Sequence, residues 1–281
     1  MQCNDCPRFC KIDRKKRKGF CGAKDQIVLA KVIENFMWEE PCISGKKGTL
    51  ALFFAGCNLK CSYCQNYKIS HEIKGDEFSV EEFASFLTTF NMKKYSALEL
   101  ITPTHFSSLL IKVFQIFKSP IPVVWNSSGY ENEKTISQIS KFVDVFLPDF
   151  KYSDNDLATK LSCAPNYFEI ATNAIKKMRK EKGKNVFKNG LLINGILIRH
   201  LVLPGQIENS KNVLNKIKEK INEPFISLMS QFVPIKQDKH FSRTILPLEY
   251  KIILNYAKKL KLENGYLQEY TSANDSFIPN F

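Results

Sequence analysis

The fold is decided by the stretch Leu50-Ala51-Leu52-Phe53-Phe54-Ala55-Gly56-Cys57-Asn58-Leu59-Lys60-Cys61-Ser62-Tyr63-Cys64. Its continuous apolar start predicts a buried β-strand that ends at Gly56, and a loop with a C-x3-C-x2-C array follows at once. Three thiolates in one short loop can hold a [4Fe–4S] cluster at three of its irons. Cys57, Cys61 and Cys64 would then leave one iron open to a substrate or cofactor. The spacing also allows a structural zinc loop whose fourth ligand comes from elsewhere.

Helical and strand-like patterns alternate after this loop. The predicted helices cover 80–90, 106–117, 132–142, 154–163, 167–180, 210–221 and 249–260, and the later predicted strands cover 97–101, 122–125, 143–147, 195–203 and 225–232. Six strands alternating with helices indicate parallel βα units. A doubly wound sheet also fits, but polar residues follow the strands at their C-terminal ends, where βα barrels place their sites. We therefore predict an α/β fold: an incomplete (β/α)6 TIM-type barrel with a small cysteine-rich, metal-binding appendage at the N-terminus.

The appendage is predicted to span residues 1–48 and the barrel domain residues 49–281, because the first part carries cysteines, charges and turn-forming residues without sustained periodicity. Four of its cysteines lie within 19 residues: Cys3, Cys6, Cys10 and Cys21. Four thiolates close a metal site completely, so we expect a structural zinc ion or an auxiliary iron–sulfur cluster there. Cys42 is a candidate substitute ligand or substrate-facing thiol, and Cys163 is expected to be a buried helix residue.

The composition is that of a globular protein with a sizeable core, since 44% of the 281 residues are hydrophobic. We find no apolar signal segment and no stretch long enough to span a membrane, so we expect a cytoplasmic protein. Its nine cysteines are then better interpreted as metal ligands than as disulfides. The formal charge of +13 allows nucleic acid as a partner without favouring it, because many lysines fall in runs that a helix would place on a solvated face.

Further motifs occur in order along nearly the whole chain. They are Cys6-Pro7-Arg8 with Cys10, Gly19-Phe20-Cys21-Gly22-Ala23, Glu39-Glu40-Pro41-Cys42-Ile43-Ser44-Gly45, Cys61-Ser62-Tyr63-Cys64-Gln65-Asn66-Tyr67, Thr102-Pro103-Thr104-His105, Asn126-Ser127-Ser128-Gly129-Tyr130, Leu147-Pro148-Asp149-Phe150-Lys151-Tyr152 and Ile198-Arg199-His200-Leu201-Val202-Leu203-Pro204-Gly205. With these motifs the sequence resembles the radical S-adenosylmethionine (SAM) superfamily. Within it, the sequence is similar to proteins related to pyruvate formate-lyase activating enzyme.

The resemblance implies a mechanism. The open iron would chelate the amino and carboxylate groups of SAM, and one electron would cleave its sulfonium bond. The resulting 5′-deoxyadenosyl radical would abstract hydrogen from a substrate, so the protein's task would be orientation, electrostatics and exclusion of water. The electron would come from a donor such as flavodoxin or ferredoxin.

The resemblance also implies residues that contact the cofactor. Tyr63 would lie against the adenine, although an aromatic residue of the core explains it equally well. The candidates at the ends of two strands are Asn126, Ser127, Ser128, Asp149 and Lys151. Among these, Asn126, Ser127 and Asp149, with the carbonyl of Leu147, would be ligands of a monovalent cation near the methionine carboxylate, although Asn126 replaces a usual carboxylate. Lys151 offers a point charge for an anionic group, unless it forms a simple surface pair with Asp149.

Members of the superfamily usually carry a Gly-Gly-Glu turn that receives the amino group of SAM, and Thr102-Pro103-Thr104-His105 stands at that place. Thr102 and Thr104 can still accept hydrogen bonds from an ammonium group. His105 would do likewise when neutral or relay protons, unless it merely begins a helix. Arg199 and the following His200 point in opposite directions on a strand, and we expect Arg199 to face the interior and the cofactor.

Three functions remain open. The leading one is a radical enzyme that activates another protein by abstracting hydrogen from a backbone glycine. The second is radical modification of RNA or a peptide, which the positive charge and the appendage support. The third function is a nucleic-acid-binding module in which both cysteine groups bind zinc. The full set of βα units disfavours it. The sequence contains no phosphate-binding Gly-rich loop, H-E-x-x-H or G-x-S-x-G motif that would support another catalytic class.

Overall fold

The computed structural model describes residues 2–37, 40–262, 264–272 and 274. The strands are β1 Ile27–Phe36, β2 Thr49–Phe54, β3 Asp76–Phe78, β4 Ala97–Ile101, β5 Val123–Ser127, β6 Val145–Pro148, β7 Val186–Lys188, β8 Leu191–Ile196, β9 Ile198–Leu201, β10 Ile226–Met229 and β11 Gly265–Leu267. The helices are α1 Pro41–Ser44, α2 Tyr67–Ser70, α3 Val80–Thr88, α4 Ser107–Ile116, α5 Glu133–Ile139, α6 Asn155–Ser162, α7 Tyr167–Lys182, α8 Ile207–Lys220 and α9 Pro247–Lys259. Glu39 of the quoted motifs and the end of the predicted barrel domain, 275–281, lie outside the described residues.

Parallel strands form most of an open barrel. β2, β4, β5, β6 and β8 pair side by side in this order, and β9, β10 and β11 form a second parallel sheet. The two sheets are continuous, because β9 follows β8 after one residue and Asp149 bridges to Arg199. Neighbouring helices α3, α4, α5, α7, α8 and α9 contact one another around the outside. The α/β fold and the incomplete (β/α)6 barrel predicted from the alternating pattern are confirmed.

An antiparallel edge extends the sheet beyond β2. β1 pairs with β2, with Val32 opposite Leu52, and β3 pairs with the other side of β1. The sequence pattern did not predict β1, because Ile27, Val28 and Leu29 are all buried and give no alternation of polar and apolar residues. Residues 27–36 of the expected appendage therefore belong to the main sheet, and a domain boundary at residue 48 stays a prediction.

Two cysteines lie elsewhere than expected. Cys42 is 1% exposed and packs in an apolar cluster with Ala97 and Val145, which stand at the starts of their strands. This is the end of the barrel opposite to the strand C-termini, so Cys42 lies away from the cysteine loop and the cavity. Cys163 is exposed, because α6 ends at Ser162 and Cys163 follows in a left-handed conformation that turns the chain outward. The expectations for both residues were wrong.

The N-terminal segment packs against the side of the barrel that carries the cysteine loop. Asp5 accepts a hydrogen bond from Ser108 at 3.0 Å and pairs with Arg14 at 3.3 Å. Arg8 donates to the carbonyl of Asn58 at 2.8 Å, inside the loop itself. Gly56 has a φ of +81°, and a Cβ at this position would lie 2.4 Å from the carbonyl oxygen of Cys21. The backbone of the N-terminal segment therefore touches the junction between β2 and the loop. Among the described residues, none of the helices has the length and apolar character to cross a membrane.

This close approach predicts a difference between two glycine substitutions. Gly56→Ala should destabilise the protein more than Gly190→Ala, because Gly190 has a similar φ of +80° but open space around its Cβ position. Both changes carry the cost of a left-handed alanine, about 1–2 kcal/mol. Only Gly56→Ala adds overpacking, for which about 1–3 kcal/mol is typical. The free energy of unfolding from urea titrations measures both losses, and equal losses would contradict the contact.

Candidate functional site

A cavity opens at the C-terminal ends of the barrel strands. It is lined by Cys57, Cys61, Tyr63, Cys64, Thr102, Asn126, Ser127, Ser128, Asp149, Lys151 and Arg199, and by the apolar residues Phe36, Phe53, Ile69, Ile101, Leu201 and Met229. These residues follow β2, β4, β5 and β6 or belong to strands, including β9 and β10. Parallel strands bring their C-terminal ends together, so positions far apart in sequence share one cavity.

The three thiols of the loop are held in place by hydrogen-bond donors. Cys57 Sγ accepts from the Leu59 amide at 3.3 Å, Cys61 Sγ from the Ser162 hydroxyl at 2.9 Å, and Cys64 Sγ from the Ser70 hydroxyl at 3.3 Å. Burial raises the pKa of Cys57 to about 12 and that of Cys61 to about 11. Binding of iron must therefore release protons from these thiols. Three sulfur ligands that face one cavity fit a four-iron cluster with an open corner.

Charged side chains form the wall beside this loop. Lys151 Nζ lies 2.6 Å from Asp149 Oδ2, and Arg199 Nε lies 3.2 Å from Asp149 Oδ1. Arg199 Nη2 also donates to Asn126 Oδ1 at 2.6 Å. Burial opposes the ionisation of Asp149, but the two cations outweigh it and hold the pKa of Asp149 below its usual value. Two cations and one carboxylate leave this wall with a net positive charge, which suits an anionic group of a ligand.

A buried carboxyl group extends this network into the barrel. Glu99 lies within β4, and it accepts hydrogen bonds from Asn126 Nδ2 at 2.9 Å and from Thr49 Oγ1 at 2.9 Å. The Asn126 amide is thereby oriented between Glu99 and Arg199. Burial raises the pKa of Glu99. The sequence analysis missed this residue. An acidic side chain in the centre of an apolar strand was a usable signal, because charged groups are almost never fully buried without partners.

The structure separates the two threonines expected at the cofactor. Thr102 lines the cavity with a φ of +60°, a conformation that a β-branched residue rarely adopts and that is typical of functional sites. Thr104 is buried and donates instead to Glu131 at 2.6 Å, away from the cavity lining. Burial raises the pKa of Glu131 to about 7. The expectation that Thr104 contacts the cofactor does not agree with this placement.

Two histidines lie in the interior outside the cavity lining. His105 Nε2 is 2.8 Å from the carbonyl oxygen of Ala55, and burial lowers the pKa of His105 to about 3. His200 bonds to Phe150 and Ser210 on the helix side of β9, so Arg199 faces the cavity as the strand alternation predicted. His105 therefore supports the strand that leads into the cysteine loop.

Tyr63 lines the cavity but also belongs to an aromatic cluster. Its ring centroid lies 5.9 Å from those of Phe232 and Phe241, and its hydroxyl lies 2.6 Å from that of Tyr152. Only 5% of Tyr63 is exposed. Contact with the adenine of SAM stays a prediction.

The N-terminal cysteines converge around one arginine. Arg14 Nη2 lies 3.5 Å from Cys21 Sγ, and the guanidinium interacts electrostatically with Cys3 and Cys6. A Cβ on Gly19 would lie 3.3 Å from Cys21 Sγ and 3.8 Å from Cys10 Sγ, so these thiols flank the glycine. No three His, Cys, Asp or Glu side chains in the described part of the chain stand close enough to share one metal ion. What the four thiols bind stays a prediction.

Comparisons with known proteins agree with this geometry. An uncharacterised protein of Methanocaldococcus jannaschii is 27% identical over 94% of this chain and 76% of its own length. The pyruvate formate-lyase-activating enzyme of Clostridium pasteurianum is 26% identical over 78% of this chain and 89% of its own length. A crystal structure of a spore photoproduct lyase mutant matches the fold with a TM-score of 0.54, 11% identity, and coverage of 85% of this chain and 80% of that one.

A family model covers most of the barrel. The model of the radical SAM superfamily matches residues 52–217, a range that begins in β2, contains the cysteine loop and ends in α8. This range is more than half of the chain. The chain therefore belongs to the radical SAM superfamily.

Proposed function

We propose that this protein holds a [4Fe–4S] cluster on Cys57, Cys61 and Cys64 and cleaves SAM reductively for hydrogen abstraction from a substrate. Membership of the family implies the cluster and SAM as cofactors. The observation that carries the proposal is that three thiols and a net positive wall share one cavity. When bound, the cluster would supply the one electron needed to cleave the sulfonium bond of SAM, and the residues of the cavity would hold SAM for hydrogen abstraction from the substrate.

The residues of the cavity divide the remaining tasks. Lys151 and Arg199 provide positive charge for the methionine carboxylate, and Asp149 holds both cations in place by pairing with each of them. Asn126 is oriented by its hydrogen bond to Glu99, and by accepting a hydrogen bond from Arg199 it fixes the orientation of the Arg199 guanidinium. The apolar residues that line the cavity, such as Phe53 and Met229, exclude water from the reacting groups.

The same contacts bear on the proposed monovalent cation. Asp149 and Asn126 would supply cation ligands, but Asp149 Oδ1 and Oδ2 and Asn126 Oδ1 accept hydrogen bonds from Lys151 and Arg199. An ion at this place would compete with two side-chain cations that are already paired. We therefore propose that Lys151 and Arg199 supply the positive charge themselves.

The substrate is proposed from similarity alone. Activation of a glycyl radical enzyme is the leading candidate, because activating enzymes of pyruvate formate-lyase are among the relatives. Radical modification of RNA or a peptide is the alternative, which the formal charge of +13 allows. A zinc-dependent nucleic-acid-binding module is disfavoured by the family match over the barrel. Flavodoxin or ferredoxin is the proposed electron donor, and the cytoplasm the proposed location.

The N-terminal cysteines are proposed as a second metal site. Cys3, Cys6 and Cys21 are buried near Arg14. Burial raises the pKa of Cys3, and the positive charge of Arg14 partly offsets this effect. Zinc and an auxiliary iron–sulfur cluster can each take four sulfur ligands, and a single zinc ion would require the thiols to move closer together than they stand here. Because this segment touches the cysteine loop through Arg8 and Cys21, its metal would support the loop or the binding of a partner.

Reductive cleavage of SAM tests the proposed activity. Protein reconstituted anaerobically and reduced should convert SAM to 5′-deoxyadenosine, and Cys57→Ala, Cys61→Ala and Cys64→Ala should each abolish the reaction because each removes a cluster ligand. Cys163→Ala is the matched control, since Cys163 is exposed and outside the cavity lining. 5′-Deoxyadenosine is quantified by chromatography. Cleavage at the wild-type rate in any of the three loop variants would show that its cysteine is not a ligand.

Loss of the Lys151 charge tests the cofactor-binding wall. Lys151→Met keeps the aliphatic stem and should weaken SAM binding roughly ten- to a hundredfold, since a hydrogen bond to a charged group contributes about 1.5–3 kcal/mol. Iron and sulfide content should stay normal. Lys182→Met is the control, because Lys182 is a partly buried lysine that contacts the Ser140 carbonyl instead. Affinity is followed by titrating SAM into the reduced protein and recording the paramagnetic signal of the cluster; unchanged affinity would remove Lys151 from the site.

A further inference from the structure

A chain of hydroxyl groups ends on one of the cysteines of the loop. Tyr63 Oη lies 2.6 Å from Tyr152 Oη, which in turn lies 2.5 Å from Ser162 Oγ. Ser162 Oγ lies 2.9 Å from Cys61 Sγ. Tyr152 and Ser162 are fully buried and Tyr63 is nearly so, which keeps water from competing for these contacts.

Counting protons fixes the direction of this chain. An iron-bound thiolate has no proton, so the Ser162 hydroxyl must donate to Cys61. A hydroxyl has one proton to donate, so Ser162 must accept from Tyr152. By the same reasoning Tyr152 accepts from Tyr63. All three hydroxyl dipoles therefore point toward Cys61, and hydrogen bonds in such a series strengthen one another.

Backbone contacts place Ser162 at the thiol. The Lys60 amide donates to the Ser162 carbonyl at 3.0 Å, and the Ser62 amide donates to the Leu161 carbonyl at 2.8 Å. These two bonds lie on either side of Cys61 in the loop. The end of α6 is thereby fixed to the loop, and the Ser162 hydroxyl stays within reach of Cys61 Sγ.

We propose that Ser162, oriented by Tyr152 and Tyr63, raises the reduction potential of the cluster and so favours the one-electron reduction that precedes SAM cleavage. The inference rests on the proposed function, in which Cys61 is a cluster ligand. Hydrogen bonds to the sulfur ligands help to set the potential of iron–sulfur clusters. The reduced cluster carries one more negative charge than the oxidised one, so a donor at sulfur stabilises the reduced form more strongly.

The corresponding serine at Cys64 should have a smaller effect. The single proton of Ser70 has two possible acceptors, Cys64 Sγ at 3.3 Å and the Tyr67 carbonyl at 3.4 Å. His71 Nδ1 lies 3.0 Å from the same hydroxyl. Ser162 accepts a hydrogen bond from Tyr152, and its hydroxyl lies closer to its sulfur, Cys61 Sγ, at 2.9 Å. The two serines can therefore be compared within one protein. Ser162 accepts a hydrogen bond and donates to one sulfur, whereas the proton of Ser70 has more than one possible acceptor.

Redox titration of the reconstituted full chain without SAM tests the proposal. The signal of the reduced cluster in electron paramagnetic resonance gives the potential, and iron and sulfide analysis gives the cluster content. Ser162→Ala should lower the equilibrium constant for reduction about tenfold, a shift of about 59 mV to more negative potential. Tyr152→Phe and Ser70→Ala should shift the potential in the same direction by less. Ser162→Thr keeps the hydroxyl and should restore most of the wild-type potential.

Ser210→Ala is the control, because Ser210 is equally buried and its hydroxyl bonds to His200 instead of a cysteine. Its potential should equal that of the wild type. An unchanged potential in Ser162→Ala with full cluster content overturns the proposal. If Ser162→Ala fails to hold the cluster, Tyr152→Phe decides: a shift to more negative potential supports the proposal and an unchanged potential overturns it. Wild-type protein without a cluster signal would instead refute the proposed function.

Discussion

Backbone hydrogen bonds hold the loop of Cys57, Cys61 and Cys64 on both of its sides. The arrangement of the three thiols in the cavity depends on these bonds. On one side, the Lys60 and Ser62 amides bond to the last residues of α6. On the other, Gly56 donates to the Ile69 carbonyl at 2.7 Å and lies against the backbone of Cys21. A short loop with three thiols directed into one cavity gains order from these backbone bonds, so the thiols need little rearrangement to receive iron. The N-terminal segment is part of that support.

The charged side chains that line the cavity, Asp149, Lys151 and Arg199, are paired with one another. Asp149 lies between Lys151 and Arg199, and Asn126 lies between Arg199 and Glu99. Such a network is costly to bury unless its members are satisfied, and once satisfied it fixes their geometry. The net positive charge faces the cavity beside Cys61. Apolar residues also line the cavity, among them Phe53 near β4 and Leu201 on β9.

The sequence predicted the barrel well because its parallel strands are apolar runs with clear helices between them. The predicted helix at 167–180, for example, corresponds to α7 at Tyr167–Lys182. β1 was missed because both of its faces are partly buried, so period-two alternation is absent. Thr104 was placed at the cofactor because sequence position cannot tell which of two neighbouring threonines points toward the strand ends. Glu99 was missed because its role depends on Asn126 and Thr49, partners from other strands.

The central claim is that the three cysteines leave one iron open for the amino and carboxylate groups of SAM. Pulsed electron–nuclear double resonance on the reduced, reconstituted protein tests it most directly, with SAM labelled with 15N at the amino group and 17O at the carboxylate. We expect hyperfine coupling of both nuclei to the cluster, because both atoms would be bound to the same iron. A fully loaded, reduced cluster that binds SAM without coupling to either label would contradict it.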